Sequence, residues 1–574
     1  MRVLHKKWLA RENPPNAAVD NYLAGKLGIS PWLLNILNLR GLNQEQELSE
    51  FLNPGLRNLI PPIHWPGVEH AAEILVKALR DGKKMAVWGD YDADGVTSTA
   101  LVKTILSWHG FEAVSFLPHR STDGYGLNCN GVQQLAEQGV DLLLTVDCGI
   151  SDLEPVALAR KLGMTVLISD HHLPAAHLPQ AHAICNPTLP GSPYPSLAGV
   201  GMAFFLMAQV HKLLEPFSKS GRDIRSVLDL VALGTLADLV PLTGQNRILV
   251  KNGMLVLNEA KRPGIAALKT VSGFSPAAVL SAGQISFTLA PRINAAGRLG
   301  HADDALALLL AEKADDALVL AEKLDEMNSQ RRKQEDAILK EALQMADEQR
   351  HCPGLVLYAP HWHSGVIGIV ASRLVEMFYK PTIVLCDEGG MVKGSGRSIR
   401  ELNLHEAISA CKEHLIRYGG HHQAAGLSLE LTELAPFRTA FFQKIIDAIG
   451  PDPVLPSLCY DAEMGFALAS SPLHLNELEL MQPFGIKNPE PLFLSPPLLI
   501  KTISHFGNRN VHARLTLCDE AANISLKVKA WGLAQEFPLT GMGRRIQIIY
   551  SSRLDCYNGI PGIDIQLRDW KWLA

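Results

Sequence analysis

Apolar strand-like runs alternate with amphipathic helical stretches from about residue 70 onward, and this alternation restricts the possible folds more than any other feature of the chain. Strands that alternate with helices pair in parallel within an α/β sheet, because each helix returns the chain to the same edge. The strand-like runs are Met85–Trp88, Ala113–Leu117, Leu142–Val146 and Thr165–Ile168, and the helical stretches include His70–Asp81 and Val96–His109. The sequence therefore predicts an α/β domain with a parallel sheet over residues 56–310, in which Ser226–Leu239 is either a buried helix or a strand–helix junction.

The stretch Ala311–Arg350 has no Gly or Pro and is rich in Ala, Glu, Lys and Leu at helical spacing. It predicts one long helix that connects two lobes. A second, smaller α/β domain is predicted over residues 351–450, where strand-like Leu355–Tyr358 and Thr382–Leu385 flank a helix at Val366–Met377.

Both ends of the chain depart from this pattern. Residues 1–55 are mixed in composition and interrupted by Pro and Asn, and we predict a small helical segment there. Pro451, Pro453 and Pro456 mark a linker at the start of residues 451–574, which are rich in short β-like runs. These runs are Leu498–Ser504, His512–Leu517, Ile524–Trp531 and Arg545–Tyr550. They predict a small all-β domain of the barrel type.

The composition agrees with a globular protein of several domains and leaves nucleic acid open as a partner. A chain of 574 residues exceeds one hydrophobic core, and 47% hydrophobic against 19% charged residues argues against long disorder. The net charge of -5 does not exclude a nucleic-acid partner, because a local basic patch does the binding. Nine scattered Cys without a CxxC pair, no apolar leader and no run long enough for a membrane span predict a cytoplasmic protein.

Acidic and imidazole side chains follow the predicted strands at the points where the strands end. One strand is followed by Gly89-Asp-Tyr-Asp-Ala-Asp-Gly95, another by Asp147-Cys-Gly149 and a third by Asp170-His-His172. Asp238 follows later, after a strongly apolar run. Because open α/β sheets bind ligands at the carboxyl ends of their strands, we expect at least three Asp and two His at one edge.

The chemistry of such a cluster points to metal ions. Packed carboxylates repel one another unless cations neutralise them, and an excess of carboxylates over imidazoles favours Mn²⁺ or Mg²⁺. Two ions held roughly 3.5–4 Å apart can activate water and stabilise charge on a phosphate, with Asp147 placed to bridge them. Taken singly, the Asp-x-Asp-x-Asp run could be a calcium loop or a solvated turn, the His pair could pack, and Asp147 or Asp238 could cap a helix. Their combination favours a dinuclear metal site.

The three motifs at the strand ends resemble, in composition and order, those of the DHH superfamily of phosphoesterases. The resemblance implies a first metal ion held by Asp94, Asp147, His171 and Asp238. It implies a second held by Asp92 and Asp147 with Asp90 nearby, and it places His172 close to the scissile phosphate. One position departs from the superfamily pattern, because Trp88 stands where other members have a histidine four residues before the first of the paired metal-binding aspartates.

Two basic segments are candidates for contacts to a phosphate chain. In Pro118–Gly126, Arg120 can bind a phosphate and Tyr125 can stack on a base, and a Gly-rich turn with incidental charge is the alternative. In Pro291–Arg298, two arginines stand beside small residues that suit close approach of a phosphate chain, and solvated arginines at a helix start are the alternative. Those arginines are Arg292 and Arg298. Both segments resemble the branch of the superfamily that degrades single-stranded DNA.

The second lobe carries Gly394-Ser-Gly-Arg-Ser398, which we interpret as a Gly-rich turn suited to a terminal phosphate. Gly419–Gly426 adds small residues and imidazoles beside it, and a helix that begins near His363 carries another arginine. The candidate binding residues are Arg373, Ser395, Arg397, His421 and His422. The lobe resembles the DHHA1 domain that accompanies the DHH domain, which implies that Ser395 and Arg397 recognise a 5′ phosphate. Tight helix–strand packing is the alternative for the glycines.

The C-terminal β domain mixes basic and aromatic residues, a combination that suits single-strand binding on an OB-fold. Gln482–Pro491, which opens the domain, resembles the same DNA-degrading branch. The basic residues are Arg509, Arg514, Lys527, Lys529, Arg544 and Arg545, and the aromatic ones are Phe506, Trp531 and Tyr550. A solvated charged face is the alternative for the basic residues.

As a whole, the resemblance implies an exonuclease that degrades single-stranded DNA from 5′ to 3′ into mononucleotides in DNA repair and recombination. It implies Mn²⁺ or Mg²⁺ as cofactor, single-stranded DNA with a 5′ end as partner, and a single-strand-binding protein and a helicase as candidate helpers. The chain has no G-x-x-x-x-G-K-[ST] run and therefore no sign of an ATP-driven motor. One alternative on this fold is an RNA, oligonucleotide or cyclic-dinucleotide phosphodiesterase. The other is a non-catalytic replication scaffold, in which the Asp and His motifs would be expected to be broken.

Overall fold

The computed structural model describes residues 6–12, 20–120, 123–555 and 562–573. The chain divides into two compact units. The first unit comprises Ser49–Arg331 and Gln482–Pro489, and the second comprises Met1–Leu48, Arg332–Met481 and Glu490–Ala574. Within the described ranges, no helix has the length and apolar character that a membrane crossing requires.

The strands are β1 (Lys7–Ala10), β2 (Met85–Gly89), β3 (Ala113–Phe116), β4 (Leu142–Val146), β5 (Thr165–Ser169), β6 (Ala183–Cys185), β7 (Leu355–Tyr358), β8 (Thr382–Glu388), β9 (Met391–Arg397), β10 (Arg417–Gly420), β11 (Ala424–Leu429), β12 (Ser457–Tyr460), β13 (Ala462–Glu463), β14 (Phe493–Leu494), β15 (Leu498–Phe506), β16 (His512–Asp519), β17 (Ile524–Ala530), β18 (Arg545–Asp555) and β19 (Gly562–Trp572). The α-helices are α1 (Asn21–Leu27), α2 (Pro31–Leu39), α3 (Glu45–Leu52), α4 (Val68–Arg80), α5 (Ala93–Trp108), α6 (Cys129–Glu137), α7 (Leu153–Lys161), α8 (Gly199–Ser218), α9 (Leu228–Ala237), α10 (Gly244–Glu259), α11 (Pro263–Val271), α12 (Ala282–Gln284), α13 (Ala290–Leu299), α14 (Asp303–Leu310), α15 (Ala314–Glu348), α16 (Ser364–Phe378), α17 (Leu404–Ser409), α18 (Leu434–Ile449), α19 (Phe466–Ala469) and α20 (Pro472–Leu480).

The first unit is built on a five-stranded sheet of order β3-β2-β4-β5-β6, and every pairing in it is parallel. Strands β2 and β4 are buried along their whole length. Burial of both faces requires apolar side chains at successive positions, which is why these strands appear in the sequence as unbroken apolar runs. The predicted parallel α/β sheet is confirmed.

The apolar stretch that the sequence left undecided is the helix α9. Residues Leu228–Leu236 of this helix are all buried, so its apolar side chains show no one-sided helical period. Its one charged residue, Asp229, accepts a hydrogen bond from Arg262 Nε at 2.7 Å. A buried charge is tolerated when it is paired and hydrogen-bonded in this way.

A short segment from far along the chain completes the first unit. Gln482–Pro489 was predicted to open the C-terminal β domain, but it packs with the first unit. The backbone N–H of Leu242 donates to the carbonyl of Ile486 at 2.8 Å, and Lys251 Nζ donates to the carbonyl of Gln482 at 3.2 Å. Leu242 itself is buried.

The second unit contains a five-stranded sheet of order β10-β11-β9-β8-β7, in which only β7 and β8 pair in parallel. The interpretation of Gly394–Ser398 as a turn is wrong, because Gly394–Arg397 lie in the middle of this sheet, on β9. Its glycines serve packing: a Cβ at Gly394 would lie 2.8 Å from Leu385, and one at Gly396 would lie 3.0 Å from Leu404.

The seven-stranded sheet of the second unit contains a closed barrel. Its order is β13-β14-β18-β15-β16-β17-β19, and β19 pairs with both β17 and β18, so the sheet returns on itself. The predicted β-barrel is confirmed. Strand β1, which the sequence analysis did not predict, pairs in parallel with β12.

Candidate metal centre

Parallel pairing brings three strand ends, and the motifs that follow them, to one edge of the first unit's sheet. Gly89 of β2 lies opposite Val146 of β4, and Val146 lies opposite Ser169 of β5. The next residues along the chain are Asp90, Asp147 and Asp170. The motifs predicted to meet at this edge therefore do so.

The ligand atoms at this edge include two groups suited to hold one ion each, and in each of them the atoms lie within 4.8 Å of one another; a third group of the same kind joins Asp147 to His171 and His172. One group is Asp94, His171 and Asp238, and the other is Asp90, Asp92 and Asp147. Asp147 Oδ1 also lies 3.2 Å from His171 Nε2. Asp147 therefore stands between the two groups, where a bridging carboxylate would be needed.

Asp238 reaches the site from a helix rather than from a strand. It caps the C-terminal end of α9, and its Oδ2 lies 3.7 Å from His171 Nε2. Of the two alternatives left open for the apolar run before Asp238, a buried helix or a strand–helix junction, the structure shows the buried helix.

Backbone N–H groups fix the carboxylates of the first motif. Asp92 is the N-cap of α5, and its Oδ1 accepts from the N–H groups of Asp94 and Gly95 at 2.9 and 3.2 Å. Asp94 accepts from the N–H groups of Gly199 and Val200, both at 2.8 Å, at the start of α8. Two helix N-termini thus point at these carboxylates, and their positive ends stabilise negative charge.

Small residues allow the supporting helices to approach the site. A Cβ at Gly199 would lie 2.9 Å from Asp147 Cγ and nearer still to its Oδ1. Gly199 was not among the residues predicted for the site, because no local pattern in the sequence shows that the start of α8 contacts a ligand. On α13, Asn294 Oδ1 accepts from the N–H of Ala93 at 2.8 Å, and a Cβ at Gly297 would overlap the carbonyl of Tyr91.

Four buried ligand atoms are without a hydrogen-bond partner in the described part of the chain. They are Asp90 Oδ1, Asp147 Oδ1, His171 Nε2 and Asp238 Oδ2. A buried polar atom left unsatisfied costs about 1–3 kcal/mol, so this cluster requires protons or cations. Several carboxylates with one neutral imidazole are a donor set that fits Mn²⁺ or Mg²⁺.

The carboxylates also repel one another strongly. Burial, with the neighbouring Asp92, raises the pKa of Asp90 well above its ordinary value. Burial and the charges of Asp94 and Asp92 do the same to the pKa values of Asp147 and Asp238. Burial and Asp92 raise the pKa of Asp94 to about 7. Divalent cations would remove this repulsion and return the carboxylates to their charged form.

Without metal ions, the protein is expected to lose stability as the pH rises toward neutrality. The pKa of Asp94 is 3.8 in its ordinary state and about 7 in the fold, so the folded state binds more protons than the unfolded state between these values. Stability therefore falls as the pH rises through this window. In EDTA, the melting temperature should be lower at pH about 8 than at pH about 5, and Asp94→Asn should weaken the trend. With Mn²⁺ the trend should reverse, and a melting temperature in EDTA that rises with pH would contradict this account.

The pKa values of the two histidines of the third motif are shifted in opposite directions. His171 Nδ1 donates to the carbonyl of Leu197 at 3.1 Å, which leaves Nε2 as the acceptor that faces Asp147. Burial, with the charge of His172, lowers the pKa of His171 to about 4, so this ring is neutral at physiological pH and suited to bind a metal.

Asp170 favours the charged form of His172. Burial acts to lower the pKa of His172, but the hydrogen bond to Asp170 Oδ1 at 2.8 Å and the charge of Asp170 raise it above its ordinary value. Asp170 is itself held by the backbone N–H groups of Ile150, His171 and His172. Although burial opposes it, the contact with His172 lowers the pKa of Asp170.

Aromatic and basic side chains border this histidine. The Tyr125 hydroxyl lies 3.1 Å from His172 Nε2 and 3.2 Å from the carbonyl of Asp147. Arg120 lies with its Cζ 5.0 Å from the centre of the Tyr91 ring. Trp88, at the position where a histidine was expected, is buried and stacks on Phe116 with ring centres 3.9 Å apart, so this position contributes packing and no ligand.

The arginines of Pro291–Arg298 differ in their surroundings. Arg292 is buried on α13 and donates to Asp325 at 2.8 Å and to the carbonyl of Thr288 at 2.6 Å. Its guanidinium stabilises packing between helices, so we remove Arg292 from the phosphate-binding candidates. Arg298 lies close enough to Tyr91 for its charge to act on the Tyr91 pKa, and it remains a candidate.

In the second unit, Ser395 and Arg397 point to the same side of β9. Arg397 Nη1 donates to Ser395 Oγ at 3.1 Å, and a Cβ at Gly368 of α16 would lie 2.9 Å from Ser395 Oγ and 3.1 Å from Arg397 Nη2. The pairing of β9 with β11 puts Ala424 opposite Arg397 and Gly426 opposite Ser395. Small residues on α16 and on β11 therefore leave room beside the Ser395 hydroxyl and the Arg397 guanidinium.

The other candidates of this lobe lie at the surface. His421 and His422 are exposed between β10 and β11. Arg373 of α16 pairs with Glu335 at 2.9 Å and Asp336 at 3.0 Å on α15, so its guanidinium stabilises contact between two helices. The Arg373 side chain remains 44% exposed, so this residue stays a candidate for phosphate contact.

Comparison with known proteins defines the class to which this fold and site belong. The DHH family, N-terminal domain, matches residues 84–235, the DHHA1 domain matches residues 353–448, and the RecJ OB domain matches residues 460–569. The chain is therefore a DHH-family protein with a DHHA1 domain and an OB domain. The DHH, DHHA1 and OB domains follow one another in the predicted order.

Relatives with assigned names identify the family within that class. The single-stranded-DNA-specific exonuclease RecJ of Bacillus subtilis is 33% identical over 552 residues, which cover 95% of this chain and 69% of the relative. RecJ of Salmonella typhimurium is 38% identical over 490 residues, or 81% of this chain and 83% of the relative. A crystal structure of RecJ in complex with Mn²⁺ from Thermus thermophilus aligns with a TM-score of 0.83 at 30% identity, covering 98% of this chain and 79% of that one. The chain belongs to the RecJ family.

Proposed function

We propose that this chain is a metal-dependent exonuclease that degrades single-stranded DNA from 5′ to 3′ into mononucleotides, in DNA repair and recombination. The observation that carries the proposal is the pair of buried ligand groups with Asp147 between them. Relatives named as single-stranded-DNA-specific exonucleases support the substrate. Crystal structures of a relative in complex with Mn²⁺ and with Mg²⁺ support the cofactors.

The ligand groups allow two ions to be placed by residue. Asp94, Asp147, His171 and Asp238 would hold one ion, and Asp92 and Asp147 with Asp90 would hold the other. Bound there, the ions would supply activation of a water molecule and stabilisation of negative charge on the phosphate.

The chain's own residues would orient the phosphate and neutralise its charge. Asp170 favours the charged form of His172, and this ring, beside the Tyr125 hydroxyl, would donate from Nε2 to an oxygen of the scissile phosphate. Tyr125 would hold that ring in position, a role that differs from the predicted stacking on a base. Arg120 and Arg298, both near Tyr91, would bind the neighbouring phosphates.

We propose that Ser395 and Arg397 recognise the 5′-terminal phosphate, with His421 and His422 at the edge of that site. The two side chains lie together on β9 beside glycines, so a hydroxyl and a guanidinium can both donate to one phosphate.

Replacing Arg397 with alanine should weaken discrimination for a 5′ phosphate. Loss of charge-assisted hydrogen bonds costs about 1.5–3 kcal/mol, so the preference for 5′-phosphoryl over 5′-hydroxyl DNA should fall by roughly 10- to 100-fold in Kd. Arg417→Ala, which removes an exposed arginine from nearby β10, is the matched control. Equal preference in the variant and the parent protein would remove Arg397 from the site.

The barrel carries a cluster of ring side chains suited to hold bases of the downstream strand. Trp531 is 48% exposed and packs edge-on against Phe506 and His512, and Arg514 lies 4.8 Å from the Phe506 ring centre. Tyr550 is wrong as a stacking candidate, because it is buried and donates to the carbonyl of Met464. Lys529 and Arg545 form ion pairs with Asp564 and Glu520.

Trp531→Ala should lower affinity for single-stranded DNA while the rate at saturating DNA changes little. Stacking of one base on an aromatic ring contributes about 1–3 kcal/mol, so Kd should rise by roughly 10-fold or more. Fluorescence anisotropy with labelled oligonucleotides in Ca²⁺ measures this, and Leu539→Ala, a change at another exposed apolar side chain of the barrel, is the control. An unchanged Kd would exclude Trp531 from the DNA-binding face.

The function is tested by digestion of 3′-labelled, 5′-phosphorylated single-stranded DNA with Mn²⁺, beside matched RNA, duplex DNA and cyclic dinucleotides. Progressive shortening of single-stranded DNA alone, from its 5′ end, is expected. Preference for RNA or a dinucleotide would agree with the proposed metal centre but would contradict single-stranded DNA as the substrate. Metal binding without cleavage of any substrate would favour a non-catalytic scaffold.

We further propose a single-strand-binding protein and a helicase as helpers, since both generate or hold the substrate, and a cytoplasmic location. The location rests on the cysteine pattern, and the cysteines within the described ranges are free thiols. Stimulation of digestion by purified single-strand-binding protein on long substrates would test the first helper.

A further inference from the structure

A second cluster of potential ligands lies at the far ends of the two helices that begin at the metal centre. Helix α5 has 16 residues and therefore carries the chain roughly 24 Å away from Asp92. At its end stands His109, and His211 and Glu215 stand one turn apart near the end of α8. One ligand atom from each of these three residues lies within 4.8 Å of the others.

Hydrogen bonds give His109 the tautomer that a metal ligand requires. The Ser218 hydroxyl contacts His109 Nδ1 and can donate to the carbonyl of Leu214 at 3.3 Å, an arrangement in which it accepts from His109 Nδ1. With its proton on Nδ1, His109 presents an unprotonated Nε2 to His211, whose Nδ1 lies 2.8 Å away. A hydrogen bond on the outer nitrogen that fixes the tautomer and orientation is typical of metal-binding histidines.

The surroundings of the cluster also suit a cation. His109 caps the C-terminal end of α5, where the negative end of the helix dipole attracts positive charge. Glu215 is fixed by the Ser220 hydroxyl at 2.6 Å and by the N–H of Gly221 at 2.8 Å, and its carboxylate adds a negative charge. Burial, with His211 beside it, lowers the pKa of His109, which keeps this imidazole neutral.

We propose that His109, His211 and Glu215 bind one Zn²⁺ ion, at a site separate from the catalytic ions and with a structural role. Two imidazoles and one carboxylate bind Zn²⁺ with a solvent molecule in the fourth position, and an open cleft of about 640 Å³ beside His211 gives that solvent access. The ion joins the ends of α5 and α8. Because the first turns of these helices hold Asp92 and Asp94, the ion stabilises the pair of helices on which the catalytic centre is built.

Two lysines near the cluster could bind an anion in place of the metal ion. Lys212 and Lys219 line the same cleft and would attract an anion such as phosphate instead of a metal ion. Inorganic phosphate is therefore included as a separate arm of the test.

The test is metal analysis of the full chain after equilibrium dialysis against ZnCl₂, compared with His211→Gln, Glu215→Gln and the control Lys212→Gln. The parent protein and the control are expected to retain one more Zn²⁺ per chain than the first two variants. Co²⁺ in place of Zn²⁺ should give visible d–d absorption that His211→Gln loses. Cleavage with Mn²⁺ reports on the catalytic centre separately, so a loss of Zn²⁺ with retained cleavage distinguishes the two sites.

Equal Zn²⁺ content in the parent protein and in both ligand variants would overturn the proposal. A rise in melting temperature with phosphate that Lys212→Gln abolishes, without a difference in Zn²⁺ content, would show an anion site in its place. In Glu215→Gln the remaining oxygen can accept from the N–H of Gly221 while the amide nitrogen can donate to the Ser220 hydroxyl, so this variant tests the ligand even if His211→Gln folds poorly.

Discussion

Replacing Asp147 with asparagine is expected to abolish DNA cleavage and, at the same time, to stabilise the metal-free protein. Asp147 stands between both ligand groups, so its loss weakens the binding of both ions, and we expect the rate to fall by roughly 10³-fold or more. Burial and the charges of Asp94 and Asp92 raise its pKa well above the ordinary value. Without ions, this carboxylate therefore opposes folding at neutral pH, and an amide removes the repulsion.

Two measurements separate these effects. Cleavage of 5′-phosphorylated single-stranded DNA with Mn²⁺ reports on the first, and the melting temperature in EDTA at neutral pH reports on the second. Asp152→Asn is the matched control, because Asp152 lies near the same sheet edge and accepts from the N–H of Leu127 but belongs to neither ligand group. Cleavage by Asp147→Asn at a rate near that of the control would contradict a bridging role.

Replacing Gly199 with alanine should reduce cleavage although it changes no ligand. The added methyl group would lie 2.9 Å from Asp147 Cγ and nearer to its Oδ1, so either the carboxylate or the start of α8 must move. The start of α8 also donates two N–H groups to Asp94, so movement of the helix disturbs a second ligand. A displacement of about 1 Å in a reacting constellation can cost roughly 10²-fold in rate, and we expect a loss of that order.

The control for this variant is Gly283→Ala, since a Cβ at Gly283 in the same unit would have no atom within 4 Å. Mn²⁺ titration followed by cleavage rate should show a weaker apparent affinity for the metal in Gly199→Ala than in Gly283→Ala. Equal rates and equal affinities would mean that α8 can shift without disturbing Asp147.

Much of the first unit could be predicted because its local signals agree with its tertiary structure. Strands β2, β4 and β5 are buried apolar runs, and each is followed directly by an acidic motif. The strand pattern and the metal centre could therefore both be predicted from the sequence. The long helix α15 could be predicted because it contains no helix-breaking residue. Asp238 was predicted as a ligand, but its position at a helix end was not predicted. Helix α9 is buried on all sides, so its apolar residues show no helical periodicity in the sequence.

The less successful predictions share a physical cause, which is that side-chain partners are set by tertiary contacts. Nothing local in the sequence shows that Arg292 pairs with Asp325, so this arginine was expected to be available for phosphate. Glycines in Gly394–Ser398 are typical of a turn, but here they make room for Leu385 and Leu404 against a central strand. Likewise, β1 pairs with a strand about 450 residues away along the chain, as the register of Lys7 with Ser457 shows.

The return of Gln482–Pro489 to the first unit has a consequence for synthesis on the ribosome. The chain leaves this unit after Arg331, and the segment that contacts Leu242 and Lys251 is made only some 150 residues later. At about 5–20 residues per second, the nascent first unit therefore waits roughly 10–30 seconds before Ile486 can accept from the N–H of Leu242. During that interval Leu242 lacks one partner, so a fragment truncated before Gln482 reproduces an intermediate of translation rather than the finished unit.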